Sequence, residues 1–484
     1  MQLGELIADI EVEAVSGDAA TEISDLAYDS GRVHHGTLFF CVPGGTRDGH
    51  DFGTAAVEAG AAGLVVERDL DLPVAQVRVT DARAAMAPLA ARFWGDPTAE
   101  LRVAGITGTN GKTTTAFMLE AILEEAGVRC GLLGTVKQVV GGVEEEVVRT
   151  TPEAIDLQAT FRRMLEAGDE ACAMEVSSHA LALHRADAIH FATAVFTNLS
   201  QDHLDFHADM EDYFAAKRLL FDAGPGAAVV NVDDPYGQRL AAEIDCLTFS
   251  AEGASADFGA DAVELGPSGA NFRVVSAEGS VHVSTRLPGH FNVSNALAAI
   301  TAAHTLGVSL ELAAAGLEAA VGVPGRFEPI EEGQEFTVLV DYAHTPEALE
   351  NVLRSARPLT EGRLISVFGA GGDRDRDKRP RMGWIGAELS DLAIVTSDNP
   401  RSEQPDAIIE EILAGIGEHG PGVQVEPDRR SAIGLALREA AAGDTVLIAG
   451  KGHEQGQEFE DGRKIPFDDR EVAREHLRSL AGSA

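Results

Sequence analysis

The run Val103-Ala-Gly-Ile-Thr-Gly-Thr-Asn-Gly-Lys112-Thr-Thr-Thr leaves a chain few folding options. Its apolar start reads as a buried strand, and TTTAFMLEAILEEAG after it has helical periodicity. A glycine-rich turn between strand and helix points backbone amides at one spot, at the positive end of a helix. Gly108 to Thr114 are therefore expected to cradle phosphate oxygens. Lys112 would reach the terminal phosphates of a nucleotide and the Thr113 hydroxyl would take Mg²⁺. The strict GxxxxGK[ST] spacing fails, because Ile106 stands at the first glycine position.

The rest of the chain repeats the same alternation. Residues 1–98 read as a small α/β unit, with apolar runs such as TLFFCV and GLVVE between Ala-rich helical stretches. A polar break at GDPTAELR precedes the phosphate loop. ACAMEVS, ATAVFTNL and GAAVVNV read as buried strands with helices between them, so residues 99–325 are expected to form a parallel-sheet nucleotide domain. LPGHFNVSNALAAITAAHTLG reads as a loop and a helix, and GVPGRFEPI as a hinge. In residues 326–484 the strands FTVLVDYAH, RLISVFGAGG, LAIVTSDNP and DTVLIAGKG each end in a polar or Gly-containing loop, where ligands bind in open α/β sheets. The fold class expected is α/β in three domains.

Composition narrows the function. The formal net charge is −40, which argues against a nucleic-acid partner and leaves few cations to receive anionic substrates. No apolar run is long enough to cross a membrane. The acidic N-terminus lacks the basic start of a secretory signal, and four dispersed cysteines suit a reducing cytoplasm. A soluble, monomeric, cytoplasmic protein is expected. Only six of the 38 basic residues are lysines. Four of them (Lys112, Lys217, Lys378 and Lys451) lie in TGTNGKTTT, AAKRLL, GGDRDRDKRP and AGKGHE. Lysine placed so sparingly marks positions where a compact or modifiable amine is needed and a guanidinium will not serve.

Glu175 ends the strand ACAME and His203 lies in NLSQDHLDFH. Both are able to ligate a divalent cation beside phosphates. Lys217 sits on a mostly apolar helix, where the plain expectation is a snorkelling surface lysine.

The blocks TGTNGKTTT, RTTPE, MEVSSHAL, FTNLSQDHLDFH, AAKRLLF, HFNVSNALAA, PGRFE, DYAHTPEAL, GAGGDRDRDKRP, SDNPR and AGKGHE follow one another in a single order. Together they resemble the Mur ligase family, the ATP-dependent amino-acid ligases of peptidoglycan synthesis. YDSGRVHHGTLFF and TRDGHDF extend the resemblance to that family's uridine-binding domain. The likeness is strongest to members that add the third peptide residue to UDP-N-acetylmuramoyl-L-alanyl-D-glutamate.

The resemblance implies a uridine-binding domain, a central P-loop ATPase domain and a C-terminal Rossmann-like domain. It implies that Ser30 contacts uridine and that Thr150, Thr151, Ser177 and Arg185 hold the muramoyl-dipeptide. Asn295 and Arg326 would lie near ATP, with Asp341 opposite. Glu175, His203 and a carbamylated Lys217 would bind Mg²⁺ together with Thr113. Arg374, Asp398, Asn399, Pro400, Arg401, Gly450 and Glu454 would receive the incoming amino acid. An Arg ending SDNPR implies meso-diaminopimelate rather than lysine. Two positions depart from the family pattern: Arg149 stands where Asn is common before TTP, and Leu183 where Gln often contacts substrate.

The implied reaction is amide formation. The D-glutamyl γ-carboxylate takes the γ-phosphoryl group of ATP, the amine attacks the resulting acyl phosphate, and phosphate leaves. The nearest alternatives are a lysine-adding muramyl ligase and a folylpolyglutamate synthetase. From other classes come a P-loop kinase or phosphohydrolase and a non-catalytic nucleotide-binding regulator. The first pair differs in the amino acid or acceptor, the second pair in whether any amino acid is added.

Overall fold

The computed structural model describes every residue except 9, 46, 148, 267–268, 321, 418–421 and 482–484. The described residues fall into two compact units interleaved along the chain. One comprises Met1–Thr107, Gly127–Val195 and Ala216–Ala228, the other Gly108–Ala126, Phe196–Ala215 and Val229–Ala484.

The first unit opens with a five-stranded sheet. Its order is Ala14–Ser16, Ala75–Arg78, Gly63–Val66, Thr37–Phe40 and Asp25–Ala27. All pairings are parallel except that of the first edge strand. The strands TLFF and GLVV are buried at every position, because helices or loops cover both faces of such a sheet. A second sheet contains Arg102–Thr107, Ala171–Glu175 and Cys130–Leu133 in parallel, continued by an antiparallel hairpin, Gln138–Val140 and Val143–Glu145.

In the second unit the helix Lys112–Glu125 packs on His290–Thr305 and Leu310–Ala319. The middle helix is Ala-rich and buried almost all round, as a helix with no polar face must be. Gly316 allows the closest approach: a Cβ there would lie 2.6 Å from the Ile122 Cα. The strands Ala228–Asn231, Leu247–Ser250 and Phe258–Gly266 run parallel, and then the chain turns back on itself through Gly269–Ser276 and Gly279–Thr285. This antiparallel ribbon and the Gln138–Glu145 hairpin depart from the all-parallel middle third expected from the sequence.

The last sheet is ordered Glu328–Pro329, Thr337–Asp341, Thr445–Ala449, Leu364–Phe368, Leu392–Val395 and Val423–Val425, parallel beyond its first edge. Side chains alternate between two cores. Leu339, Phe368, Val395 and Leu447 face helices Pro346–Ala356, Lys378–Leu389 and Pro405–Leu413. Val340, Val367, Ile394 and Ile448 face helices Arg429–Glu439 and Asp469–Ala481. A doubly wound sheet of this kind opens its loops at the carboxyl ends of the strands, where DYAH, GAGG, SDNPR and AGKGHE lie.

Candidate active site

The phosphate loop is held open by its glycines. Gly111 caps the helix Lys112–Glu125 at φ 86° and Gly108 has φ 149°. A Cβ on Gly111 would fall 2.4 Å from the Asn295 Oδ1, and one on Gly108 1.9 Å from the Thr197 Oγ1. The segment after strand Phe191–Phe196 backs the loop. Asn198 accepts from the Asn110 amide at 2.8 Å, Thr197 donates to the Asn110 carbonyl at 2.6 Å, and Ser200 N donates to the Thr109 hydroxyl at 3.0 Å. Lys112 curls over the loop, its Nζ 2.8 Å from the carbonyls of both Gly108 and Thr109. An ammonium held on the rim of an amide-lined turn is the arrangement that neutralises a polyphosphate.

Arg326 joins this loop. Its Nη2 donates to the Thr113 hydroxyl at 3.1 Å, and its guanidinium lies 4.5 Å over the Tyr342 ring. Asn295 is fixed by the Asn292 side chain, which accepts from its Nδ2 at 3.0 Å. Asp341 is buried, and accepts from the amides of Phe327 and Ala343 at 2.7 Å each. Burial pushes its carboxyl up to about 6 in spite of Arg326 and those two amides. The residues expected around ATP in this unit thus stand together around Gly111 and Thr113, with Asp341 next in line through Phe327.

Beyond Tyr342 lies a cavity of about 140 Å³. Asp398, Asn399, Arg401, Gly450, Glu454 and Arg374 line it, six of the seven residues expected to receive an amino acid. Pro400 sits between two of them in the chain. Asn399 donates to Glu454 at 2.8 Å. Arg401 adopts a left-handed backbone, φ 51°, and aims its guanidinium at the Gly372 carbonyl (2.7 Å) and Glu458 (3.1 Å). Arg374 lies 3.7 Å from Asp205. Burial alone would raise Asp398, but Lys451 and Arg429 hold it below the usual carboxylate range.

The opposite wall carries residues to which no motif assigns a role. Asp202, His344 and Lys378 face the same cavity. Burial pulls Lys378 down, with Asp202 and Asp398 opposing, and it pulls His344 down as well. Asp202, although buried, is held at about 2 by His203, His344 and Lys378. Lys451, marked in the sequence only as a rare lysine, is wholly buried. Scarcity of lysine was the available signal for both amines. His344 stood within the DYAHTPEAL block without a role.

The residues expected to hold the muramoyl-dipeptide gather in the first unit. Thr151 donates to the Glu175 carbonyl at 2.9 Å, accepts from Ser177 N at 3.2 Å, and its own carbonyl lies 3.4 Å from Arg185 Nη1. Ser177 caps the helix Ser178–Ala182. Thr135 bonds both Glu175 oxygens, at 2.7 and 3.1 Å, and the Thr150 hydroxyl at 3.1 Å. Buried Glu153 gathers three arginines: Arg149 at 2.6 Å, Arg185 at 3.0 Å and Arg83 at 3.2 Å. Arg149, the departure from the family pattern, therefore pairs within the protein. Leu183, the other departure, closes the short helix by donating its amide to the His179 carbonyl at 2.9 Å. Ser30 lies in a single turn, Ser30–Arg32, whose neighbours Tyr28 and Arg32 bind Asp156 at 2.7 and 2.8 Å. Asp156 belongs to helix Ala154–Ala167, which follows directly on Thr150 and Thr151.

Lys217 does not snorkel. On helix Met210–Asp222 it is 1% exposed. His203, at φ 56°, is part exposed and lies 3.5 Å from Asp202. Among the described residues no cluster of three or more His, Cys, Asp or Glu side chains is set to hold a metal. The Thr113 hydroxyl and the His203 imidazole are donors of the hard or borderline kind that a divalent cation accepts. No helix among the described residues is long and apolar enough to cross a membrane.

Three family models match in turn along the chain. They are Mur ligase family, catalytic domain at 22–94, Mur ligase middle domain at 106–303, and Mur ligase, glutamate ligase domain at 325–452. The chain is 46% identical to the UDP-N-acetylmuramoyl-L-alanyl-D-glutamate–2,6-diaminopimelate ligase of Syntrophomonas wolfei, over 99% of each. It is 48% identical to the enzyme of the same name from Streptomyces coelicolor, over 99% of this chain and 97% of the other. A solved structure of a ligase of that name covers 99% of both chains at 31% identity, with a TM-score of 0.70. A MurF ligase from Thermotoga maritima in complex with ADP shares the fold at 19% identity and a TM-score of 0.66. By sequence over its whole length and by fold, the chain belongs to the Mur ligase family.

Proposed function

We propose that the protein joins meso-diaminopimelate to the D-glutamyl γ-carboxylate of UDP-N-acetylmuramoyl-L-alanyl-D-glutamate, consuming ATP and releasing ADP and phosphate. One observation carries this reading. A single polar wall runs from the phosphate loop to the zwitterion-lined cavity: Thr113 to Arg326, Arg326 onto Tyr342, and Tyr342 to Glu454 at 3.4 Å. A kinase or hydrolase has no use for an amino-acid pocket continuous with its phosphate site. The near-full-length likeness to enzymes named for diaminopimelate supports the choice of amino acid.

Thr150, Thr151, Ser177 and Arg185 orient the dipeptide, and Ser30 receives the uridine. Gly108 to Thr114, Asn295 and Arg326 bind ATP, with Asp341 behind Arg326. Lys112 neutralises the γ-phosphoryl group as the carboxylate attacks it, and the acyl phosphate forms. Asp398, Asn399, Glu454 and the Gly450 backbone orient the incoming amine, and Arg401 with Arg374 takes its far carboxylate. Thr113, Glu175, His203 and Lys217 carrying a carbamate would hold Mg²⁺, which supplies charge neutralisation when bound. Domain boundaries fall near residues 98 and 325, and the enzyme acts as a cytoplasmic monomer. The deciding experiment measures ADP release with the UDP-muramoyl-dipeptide and each candidate amino acid. Turnover with diaminopimelate alone is expected. Equal turnover with L-lysine, or ADP release that needs no amino acid, would overturn the reading.

A further inference from the structure

Lys451 is wholly buried, yet its ammonium is aimed at the cavity wall rather than at solvent. Its Nζ donates to Asn399 Oδ1 and to Glu454 Oε2, both at 2.8 Å, and lies 3.8 Å from Asp398 Oδ1. These three partners are the residues assigned above to the incoming amine.

The contacts fix more than charge. Asn399 Oδ1 also accepts from Glu458 N at 3.0 Å, which sets the amide so that Nδ2 points at Glu454 Oε2, 2.8 Å away. Glu454 Oε2 thus receives two donors, while Tyr342 OH approaches Oε1 at 3.4 Å. Lys451 balances one of the two carboxylates, and Arg429, a further cation beside Asp398, is itself paired with Asp469, so Asp398 and Glu454 together can still receive an ammonium. A guanidinium spreads its charge over a planar fork, so it does not reproduce the compact three-way contact of one ammonium nitrogen.

We propose that Lys451 is the positioning residue of the amino-acid site: it never touches substrate, and it presents Glu454 Oε1 and Asp398 to the amine of the incoming diacid. The inference rests on the proposed function. It explains why this lysine-poor chain keeps a buried lysine after Gly450.

Lys451→Met and Lys451→Arg test it in the full-length enzyme, by steady-state kinetics with diaminopimelate and ATP varied separately. Removing one partner of a buried charge pair should raise the diaminopimelate KM by about 30-fold or more in Lys451→Met. The ATP KM should stay near wild type and kcat should fall far less. Lys451→Arg, which keeps the charge, should raise the same KM by a smaller factor and serves alone if the methionine variant does not fold. A wild-type diaminopimelate KM in either folded variant would overturn the inference, as would equal changes in both KM values. Wild-type enzyme that does not use diaminopimelate at all would instead sink the function on which the inference rests.

Discussion

Arg326 and Thr113, 213 positions apart in sequence, meet at 3.1 Å, guanidinium on hydroxyl. The bond ties the start of the C-terminal segment to the phosphate loop, at the hydroxyl expected to serve Mg²⁺. Its opposite face rests on Tyr342, so two constraints fix one side chain. Arg326→Lys retains the charge and loses the fork and the stacking. We expect the ATP KM to rise about tenfold, from loss of one charge-assisted hydrogen bond worth roughly 1.5–3 kcal/mol. Separate titrations of ATP and amino acid check it; an unchanged ATP KM contradicts the role.

Lys217 tests the modification. The Lys217 side chain is 1% exposed, so the modification would sit where the fold encloses it. Lys217→Ala should be nearly inactive and should regain part of its rate with added short carboxylic acids. Intact-protein mass measured under bicarbonate, or a high-resolution structure with nucleotide, should reveal the carbamate. A plain amine in the nucleotide complex rules it out.

In the proposed function Arg401 decides the amino acid. Its guanidinium is already directed by the Gly372 carbonyl and Glu458, so a substrate carboxylate meets a prearranged fork. Arg401→Ala should raise the diaminopimelate KM by about 30-fold or more, following the roughly 2–5 kcal/mol for losing half of a buried pair. ATP binding should hold, and L-lysine should gain little, because Asp398 and Glu454 still set where an amine sits. Full diaminopimelate activity in this variant would refute the assignment.

Asp341 gives a pH signature. Burial raises its carboxyl from 3.8 to about 6, so the folded state holds its proton more tightly than the unfolded chain. Its contribution is fully present below pH 4 and is lost as pH rises through 6. The loss is at most about 3 kcal/mol. Relative to Asp341→Asn, the wild type should be favoured more at pH 4.5 than at pH 8, as read from urea midpoints. A difference independent of pH would show that Asp341 stays ionised throughout.

What the sequence disclosed and what it withheld follow from how each element is buried. Strands such as LISVF and TVLIA are covered on both faces, so they read as unbroken apolar runs. The ribbon from Phe258 to Thr285 has one exposed face, polar insertions and a register shift between Asp261 and Glu264, and none of that makes a clean period. The phosphate loop was legible because its function is local. Glu153 was not, because its arginines come from 4, 32 and 70 positions away and meet only in the fold. Lys451 and Lys378 were visible as rare letters, but that they are buried, and against which carboxylates, is a tertiary fact.

The crowding of Gly111 by Asn295 also sets an order on how this protein can change over generations. Losing the asparagine for a smaller residue clears space and leaves the loop able to form, so that step can be undone. Losing the glycine first places a Cβ against Asn295 Oδ1 in a backbone that L side chains rarely adopt, so clearing the neighbour cures only half of the fault. The two positions therefore form a ratchet: variation can enter this corner of the enzyme through residue 295 and can scarcely enter through residue 111.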